Sequence, residues 1–548
     1  MFKKQFIFLA LLGGALSGCG SDNNSATTGG TTSGGTSTGG TTGGSTTGQT
    51  YSNQTVVPGK ISDTLPQALS LAKDAGFNMY IPVSINTASQ QSVRTNSSND
   101  TIHIIAYFDE TLYSTDKERD AAREIVKQKT QRAANIMQHF LTNLPESTYG
   151  VDKSSIAELM ASRHATLMLT ANDDANEEML TKLFITEAYR QGQLQQWVID
   201  ANQPNSHELD TSTVARFLQS SEAFDNTYPD QFEAVIEEIL VGVQTSANSQ
   251  DWLVHSQSLM FRELTVEGDC HYMSNFANYC EDLGKHADRD AGFEEILHLV
   301  QAQGIAPNPK FKTFQDQFQQ RALDLYNRHA AGQDSVWQPT QSSWNDWLSD
   351  DIDPEIGPSY SHEYLAAAFE AYMGMWEHTS SGLDSYQALT RSDMRNDDFE
   401  AAFWIENMFH DYLQYTAHID SAGVETYYNN RFPQGGLTPT FHMSKSTHPP
   451  MEPYTFKSRW LVNAKIIGDV AMNLTANDQD NTIEGNSQNN VVDGKDGVDT
   501  YIVSEDFSNC TIFHQKYSDS VNCPSTGIDE LMNFEKIKFN DQVISLTK

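Results

Sequence analysis

Between residues 116 and 144 the apolar side chains Ala121, Ile125, Ile136, Met137 and Phe140 recur at helical spacing, with no Gly or Pro to interrupt them. That period predicts one long amphipathic helix over Asp116–Leu144. Ser154–Leu169, Glu177–Leu194, Gln231–Val243, Phe311–Ala331 and Phe399–Ile419 carry the same signature, and Pro145, Gly150, Pro204 and Pro307 punctuate the connections. The chain from Tyr51 to Asp109 reads differently. Its β-branched and aromatic run Thr101–Phe108 has strand length. The pattern predicts a mostly α (α+β) body over residues 51–465.

One short segment combines helical period with chemistry. In Phe293-Glu-Glu-Ile-Leu-His-Leu-Val-Gln301, Phe293, Ile296, Leu297 and Val300 share one helical face, and Glu294, Glu295, His298 and Gln301 gather on the other. Glu294 and His298 stand four residues apart, so their heads lie one turn apart and can converge on one ion. Gly304 is expected to stop the helix. Further on, Ser359–Tyr372 begins with serines suited to capping and contains Ala366, Ala367 and Ala368, small enough for close helix approach.

The first segment resembles the His-Glu-x-x-His helix of zincin metallopeptidases, in which two His bind Zn²⁺ and the Glu is the general base. Here Glu294 stands in place of the first His, while Glu295 and His298 keep the positions of base and second ligand. Glu363-Tyr-Leu-Ala-Ala-Ala-Phe369 resembles the third-ligand helix of gluzincin-type enzymes. The resemblance implies a zincin-like domain whose metal-site half covers about residues 250–420. Zn²⁺ would be held by Glu294, His298 and Glu363, with His362 as the alternative third donor, Glu295 as catalytic base, and Glu370 as a supporting carboxylate. Ala134–Asn143, Val151-Asp152 and Ile156–Leu169 resemble the region preceding a Glu-Glu-x-x-His helix in uncharacterised secreted bacterial proteins, where that form is usual. A second carboxylate ligand adds negative charge, which weakens the ion as a Lewis acid.

After Asn473 a nine-residue period sets in. Asn481, Asn490 and Asp499 hold one phase, each followed two residues later by Ile483, Val492 or Tyr501, and Gly485 and Gly494 hold another. A nonapeptide of this kind winds a parallel β-roll with an apolar interior and ion-holding turns. The run resembles the hemolysin-type (RTX) calcium-binding repeat, and Asp499–Val503 and Leu531–Asp541 resemble the segments that close such modules. The resemblance implies a small module over 470–548, with Ca²⁺ near Asp478, Asp480, Asp493, Asp496 and Asp499. Asn at 481 and 490, where Asp is usual, limits this to one or two weak sites or to a metal-free cap.

Composition adds compartment and partner. The chain has 548 residues, with 72 Asp+Glu against 35 Lys+Arg and a net charge of −37. That balance repels nucleic acid and anionic membrane surfaces. Met1–Cys19 has the positive start (Lys3, Lys4), apolar stretch (Phe6–Leu12) and Leu-Ser-Gly-Cys19 box of a bacterial lipoprotein signal. That resemblance implies a mature N-terminus at a lipidated Cys19, membrane attachment through the lipid, and, with Gly20 following, the outer membrane or cell surface. Gly20–Thr50 is a Gly/Ser/Thr coil with a reach of about 30 Å, a tether rather than a fold. In an exported chain the remaining cysteines suggest two disulfides, Cys270–Cys280 and Cys510–Cys523.

Other candidates stay open. His286, Asp288 and Asp290 suit a charged loop or substrate contacts, and His271 and Tyr272 a structural role. Tyr360 or Tyr364 could donate to an oxyanion or pack. Trp337, Trp344, Trp347 and Trp376, with Tyr360 and Tyr372, suit core packing or a peptide or glycan groove. No phosphate-cradling glycine loop and no Gly-x-Ser-x-Gly elbow occurs. The leading expectation is a lipid-anchored metallopeptidase acting on protein or peptide. The competing one is a non-catalytic, calcium-binding surface or adhesion lipoprotein that keeps the peptidase fold.

Overall fold

A computed structural model describes residues 53–86, 101–192, 241–261, 263–264, 291–349, 355–376, 381–410, 412–419, 442–445, 452–453, 461–466, 468–476 and 480–546. The signal segment with Cys19, the tether, most of Gln231–Val243, the expected Cys270–Cys280 pair, His271, Tyr272, His286, Asp288, Asp290 and Asp478 lie outside the described residues. The architecture is mixed α/β, with three sheets that contain both parallel and antiparallel strands.

The first sheet has the order β1 (Val56–Pro58), β2 (Met79–Ile85), β3 (Thr101–Ala106), β4 (Thr166–Thr170) and β5 (Ser256–Met260). The pairs β1/β2 and β2/β3 are antiparallel, whereas β3/β4 and β4/β5 are parallel. The helices are α1 (Ser70–Ala75), α2 (Asp116–Leu141), α3 (Ser154–Ser162), α4 (Asp173–Arg190), α5 (Asp251–Val254), α6 (Gly292–Val300), α7 (Lys312–Ala330), α8 (Gln341–Ser349), α9 (Ser359–Tyr372), α10 (Arg391–Asp397) and α11 (Phe399–Glu406). Both faces of the sheet are covered. Ile102, Ile104, Leu167 and Leu169 join Phe140, Ile156, Phe293 and Phe369 in the larger core. Ile105 and Met168 point the other way, into a cluster with Leu69, Phe184 and Trp252.

Two expected helices turn out to be helix and strand. The 154–169 segment leaves the helix at Ser162, passes His164 at φ +53°, and re-enters as the strand Thr166–Thr170. All five strand residues are buried, because a central strand covered on both faces needs no polar alternation. Its apolar run therefore mimics a helix in sequence. Phe399–Ile419 likewise splits into α11 and β6 (Leu413–Ile419). The break is held from outside: Asn407 O accepts from Tyr149 and Gly150 N–H, at 3.0 and 2.8 Å. α2 begins at a capping box formed by Thr115 and Glu118.

The C-terminal strands form the other two sheets. One has the order β18 (Val543–Ser545), β17 (Lys536–Lys538), β13 (Thr500–Ile502), β11 (Thr482–Glu484), β9 (Leu461–Ile466), β6. The other runs β14 (Thr511–His514), β15 (Asp519–Cys523), β16 (Gly527–Met532), β12 (Val491–Asp493), β10 (Met472–Thr475), β7 (His442–Lys445), β8 (Glu452–Pro453). Successive strands from β9 to β13 alternate between the sheets, so residues eighteen apart are neighbours. Ile483 registers with Tyr501, and Leu474 with Val492. The expected Cys510–Cys523 disulfide is present, with Cα atoms 4.5 Å apart.

The Asn/Asp phase has a job that does not require a charge. Asp499 Oδ1 accepts from Asn481 N–H at 2.7 Å, Asn490 Oδ1 from Met472 N–H at 3.3 Å, and Asp529 Oδ1 from Asn490 N–H at 2.9 Å. An amide oxygen accepts as a carboxylate does, which explains why Asn serves at 490. The glycine phase is equally constrained: a Cβ at Gly494 would lie 2.3 Å from Asp499 Oδ2.

Burial pushes the Asp529 carboxyl up to about 6, so folding favours its protonated form. That stability is fully present below the unfolded value near 4 and is lost as pH rises to about 6. Asp529→Asn keeps an acceptor for Asn490 and is expected to remove the loss, gaining about 1–3 kcal/mol over wild type at about pH 8 relative to about pH 4. Urea midpoints in chelator-containing buffer read this, and identical pH dependence in both proteins would refute it.

Candidate metal centre

The site is built on α6. Every residue from Gly292 to Val300 is buried, so both faces of this amphipathic helix are covered. The helix packs on α2, α9 and β5. Phe140 of α2 sits edge-on to Phe293 of α6 and to Phe369 of α9, with ring centroids 6.1 and 5.2 Å apart. Three aromatic rings thus fix the two helices that carry the polar groups. Ala366, Ala367 and Ala368, all fully buried, let α9 come close. Gly304 does not stop α6: a π-helical turn, Gln301–Ile305, continues directly from it. Gly304 serves packing instead, because a Cβ there would lie 2.5 Å from Ile156 and 2.9 Å from Met160 of α3.

The two helices bring Glu294, His298 and Glu363 together. One ligand atom of each lies within 4.8 Å of the others, and all three residues are buried. No other group of three His, Cys, Asp or Glu side chains meets that geometry among the described residues. The donor set fits a divalent cation. Two carboxylates this near each other and out of water repel unless a cation lies between them or one takes a proton. Imidazole plus carboxylate is a common zinc donor set, with bonds of roughly 2.0–2.2 Å.

Glu295 stands beside the triad and is also buried. Its Oε2 accepts from Gln257 Nε2 of β5 at 2.8 Å and lies 3.8 Å from His298 Nδ1. The alternative third donor, His362, is engaged elsewhere. Its Nε2 is 2.9 Å from Ile356 O, and burial, with His298 nearby, pushes it down to about 3. It is therefore a neutral ring donating to a carbonyl. Glu370 is fully buried and accepts from Trp376 Nε1 at 2.6 Å.

The Tyr364 hydroxyl is not available to an oxyanion. It donates to Asp398 Oδ2 at 2.6 Å, as Tyr386 does at 2.7 Å, while Arg321 Nε donates to Asp398 Oδ1 at 3.0 Å. Burial, then Asp398, push both tyrosine hydroxyls well up. This node anchors α9 one residue from Glu363. Tyr360 stacks on Trp344, 4.8 Å between centroids, and Trp337, Trp344, Trp347 and Tyr372 are core residues.

The amides of Gln257, Gln301 and Gln315 hold the site together. Gln301 Nε2 donates to Gln315 Oε1 at 2.9 Å, and Gln315 Nε2 to Ser361 Oγ at 2.9 Å, tying the turn after α6 to α7 and α9 near His298 and Glu363. Gln301 already stood on the polar face; Gln257 and Gln315 lie in segments whose pattern speaks only of strand or helix. The serines of α9 do not cap it. Its N-cap is Pro358, and Ser361 Oγ donates to Pro358 O.

The expected calcium ligands among the described residues do not converge as Glu294, His298 and Glu363 do. Asp480 is exposed and accepts from Val498 N–H at 2.8 Å. Asp493 accepts from Asn533 Nδ2 at 2.7 Å and pairs with Lys495 Nζ at 3.3 Å. Asp496 is exposed. Asp499 is fully buried, and burial, then Glu535, Asp480 and Asp493, push its carboxyl up to about 7.

Among the described residues no helix is long and apolar enough to cross a membrane. No family model and no curated protein matches the chain. Among solved structures, the extracellular lipase LipA from Serratia marcescens is similar at 8% identity and a TM-score of 0.14, over 88% of this chain. The match spans 60% of the lipase. A likeness this slight carries no argument about fold or activity.

Proposed function

We propose that the protein is an exported, lipid-anchored metallopeptidase of zincin-like type with a calcium-stabilised C-terminal β-roll. The observation that carries the enzyme reading is the convergence of Glu294, His298 and Glu363 in a buried cluster, with Glu295 beside it. Those side chains come from two helices whose sequences resemble the ligand helices of zincins. A divalent ion held there supplies Lewis-acid activation of a water and of the scissile carbonyl. Glu295 takes the proton of the attacking water as its oxygen bonds to the carbonyl carbon. It then passes that proton to the amine nitrogen as the C–N bond breaks. His298 Nδ1 lies 3.8 Å from Glu295 Oε2, which sets the base beside the residues that would hold the ion. Gln301, Gln315 and the Asp398 node hold α6 and α9 in register.

The lipobox and tether support anchorage at Cys19, with the catalytic part held about 30 Å from the lipid. The alternation of strands between two sheets supports the β-roll, and its calcium rests on the resemblance of the nine-residue period to the hemolysin-type repeat. The purified chain is expected to hydrolyse an unfolded protein such as reduced casein, to stop in a zinc chelator, and to recover with added zinc. Hydrolysis that persists undiminished in chelator would defeat the enzyme reading.

A further inference from the structure

We infer that Gln257 is a positioning residue for the proton-transfer step, an assignment that rests on the metallopeptidase reading. Gln257 lies on β5, the last strand in the order of the first sheet among the described residues, at a buried position between two half-buried serines, Ser256 and Ser258. A buried primary amide is costly unless its hydrogen-bonding groups are used. This one spends an N–H on Glu295 Oε2 at 2.8 Å, across from sheet to helix.

The choice of residue type follows from the neighbourhood. Glu295 follows Glu294 in the chain and lies 3.8 Å from His298 Nδ1, so its carboxylate sits beside the residues that would hold the cation. An anchor is needed to keep it from swinging toward the cation as an extra ligand. Lys, Arg or His⁺ in that place would hold it too, but as cations they would oppose its taking a proton. A neutral amide fixes one carboxylate oxygen without adding a charge that would oppose the arrival or release of a proton. Gln257 itself neither takes nor gives that proton.

Gln257→Leu removes the donor at nearly constant volume. It is expected to lower kcat on the casein substrate by about 10–100-fold, the range typical of groups that orient metal-site residues, with KM and zinc per chain unchanged. Gln257→Asn, which keeps a shorter donor, is expected to recover part of the loss. In a Glu295→Gln background the Leu substitution is expected to cause no further drop, because both changes remove the same function. If wild type is chelator-sensitive and Gln257→Leu stays within twofold of it, the positioning role is overturned and the peptidase reading stands. The same holds if the loss is as large in the Glu295→Gln background, since Gln257 would then act through the fold. A wild-type protein that loads zinc but hydrolyses nothing overturns the peptidase reading and this inference with it.

Discussion

Glu295→Gln is expected to retain one zinc per chain while hydrolysis falls by about 10²–10⁴-fold, the usual contribution of a positioned general base. The substitution is nearly isosteric, so α6 has no packing reason to move. The acceptor that would take the proton of water becomes an amide, which at neutral pH cannot. Glu295 lies beside the cluster of Glu294, His298 and Glu363 but outside it, hence the expected split between metal content and turnover. Metal analysis of the purified variant, run alongside a casein assay, measures both quantities on one sample. Loss of zinc together with activity would place Glu295 among the ligands instead. Unchanged turnover would remove it from the chemistry.

His298→Ala should behave in the opposite way, losing the metal first. His298 is the only imidazole in the group, and without it two buried carboxylates are left facing each other. Zinc affinity is expected to drop by more than about 100-fold, beyond the effect of losing a supporting group. Hydrolysis should disappear at the zinc concentrations that saturate wild type. The thermal midpoint should become insensitive to added zinc, since an ion that binds the native state raises it only where a site exists. Titration of both proteins with zinc, followed by the midpoint, reads the difference. Equal zinc-induced shifts would mean that the ion sits elsewhere.

What could be read in the sequence was whatever rests on local period. The segment 293–301 showed its two faces because helical spacing alone sorts Phe293, Ile296 and Leu297 from Glu294, Glu295 and His298. Ser359–Tyr372 was bounded to the residue, although the serines credited with starting it do not cap it and Pro358 stands at that position instead. The strand Thr166–Thr170 was hidden because burial on both faces erases alternation. The choice between His362 and Glu363 depended on a carbonyl, Ile356 O, placed by tertiary structure. Gln257 and Gln315 were invisible for a similar reason: a lone Gln in a strand or helix acquires meaning only from what lies across from it. At the C-terminus the nine-residue period was plain. Yet Asn490 there does backbone work as an N–H acceptor, which a calcium-ligand pattern does not foretell.

The most direct test of the account is anomalous scattering at the zinc edge from crystals of the zinc-loaded full chain. One strong peak should lie within bonding distance, roughly 2.0–2.2 Å, of an atom from each of Glu294, His298 and Glu363. Density only at other positions, or none between α6 and α9, would contradict it.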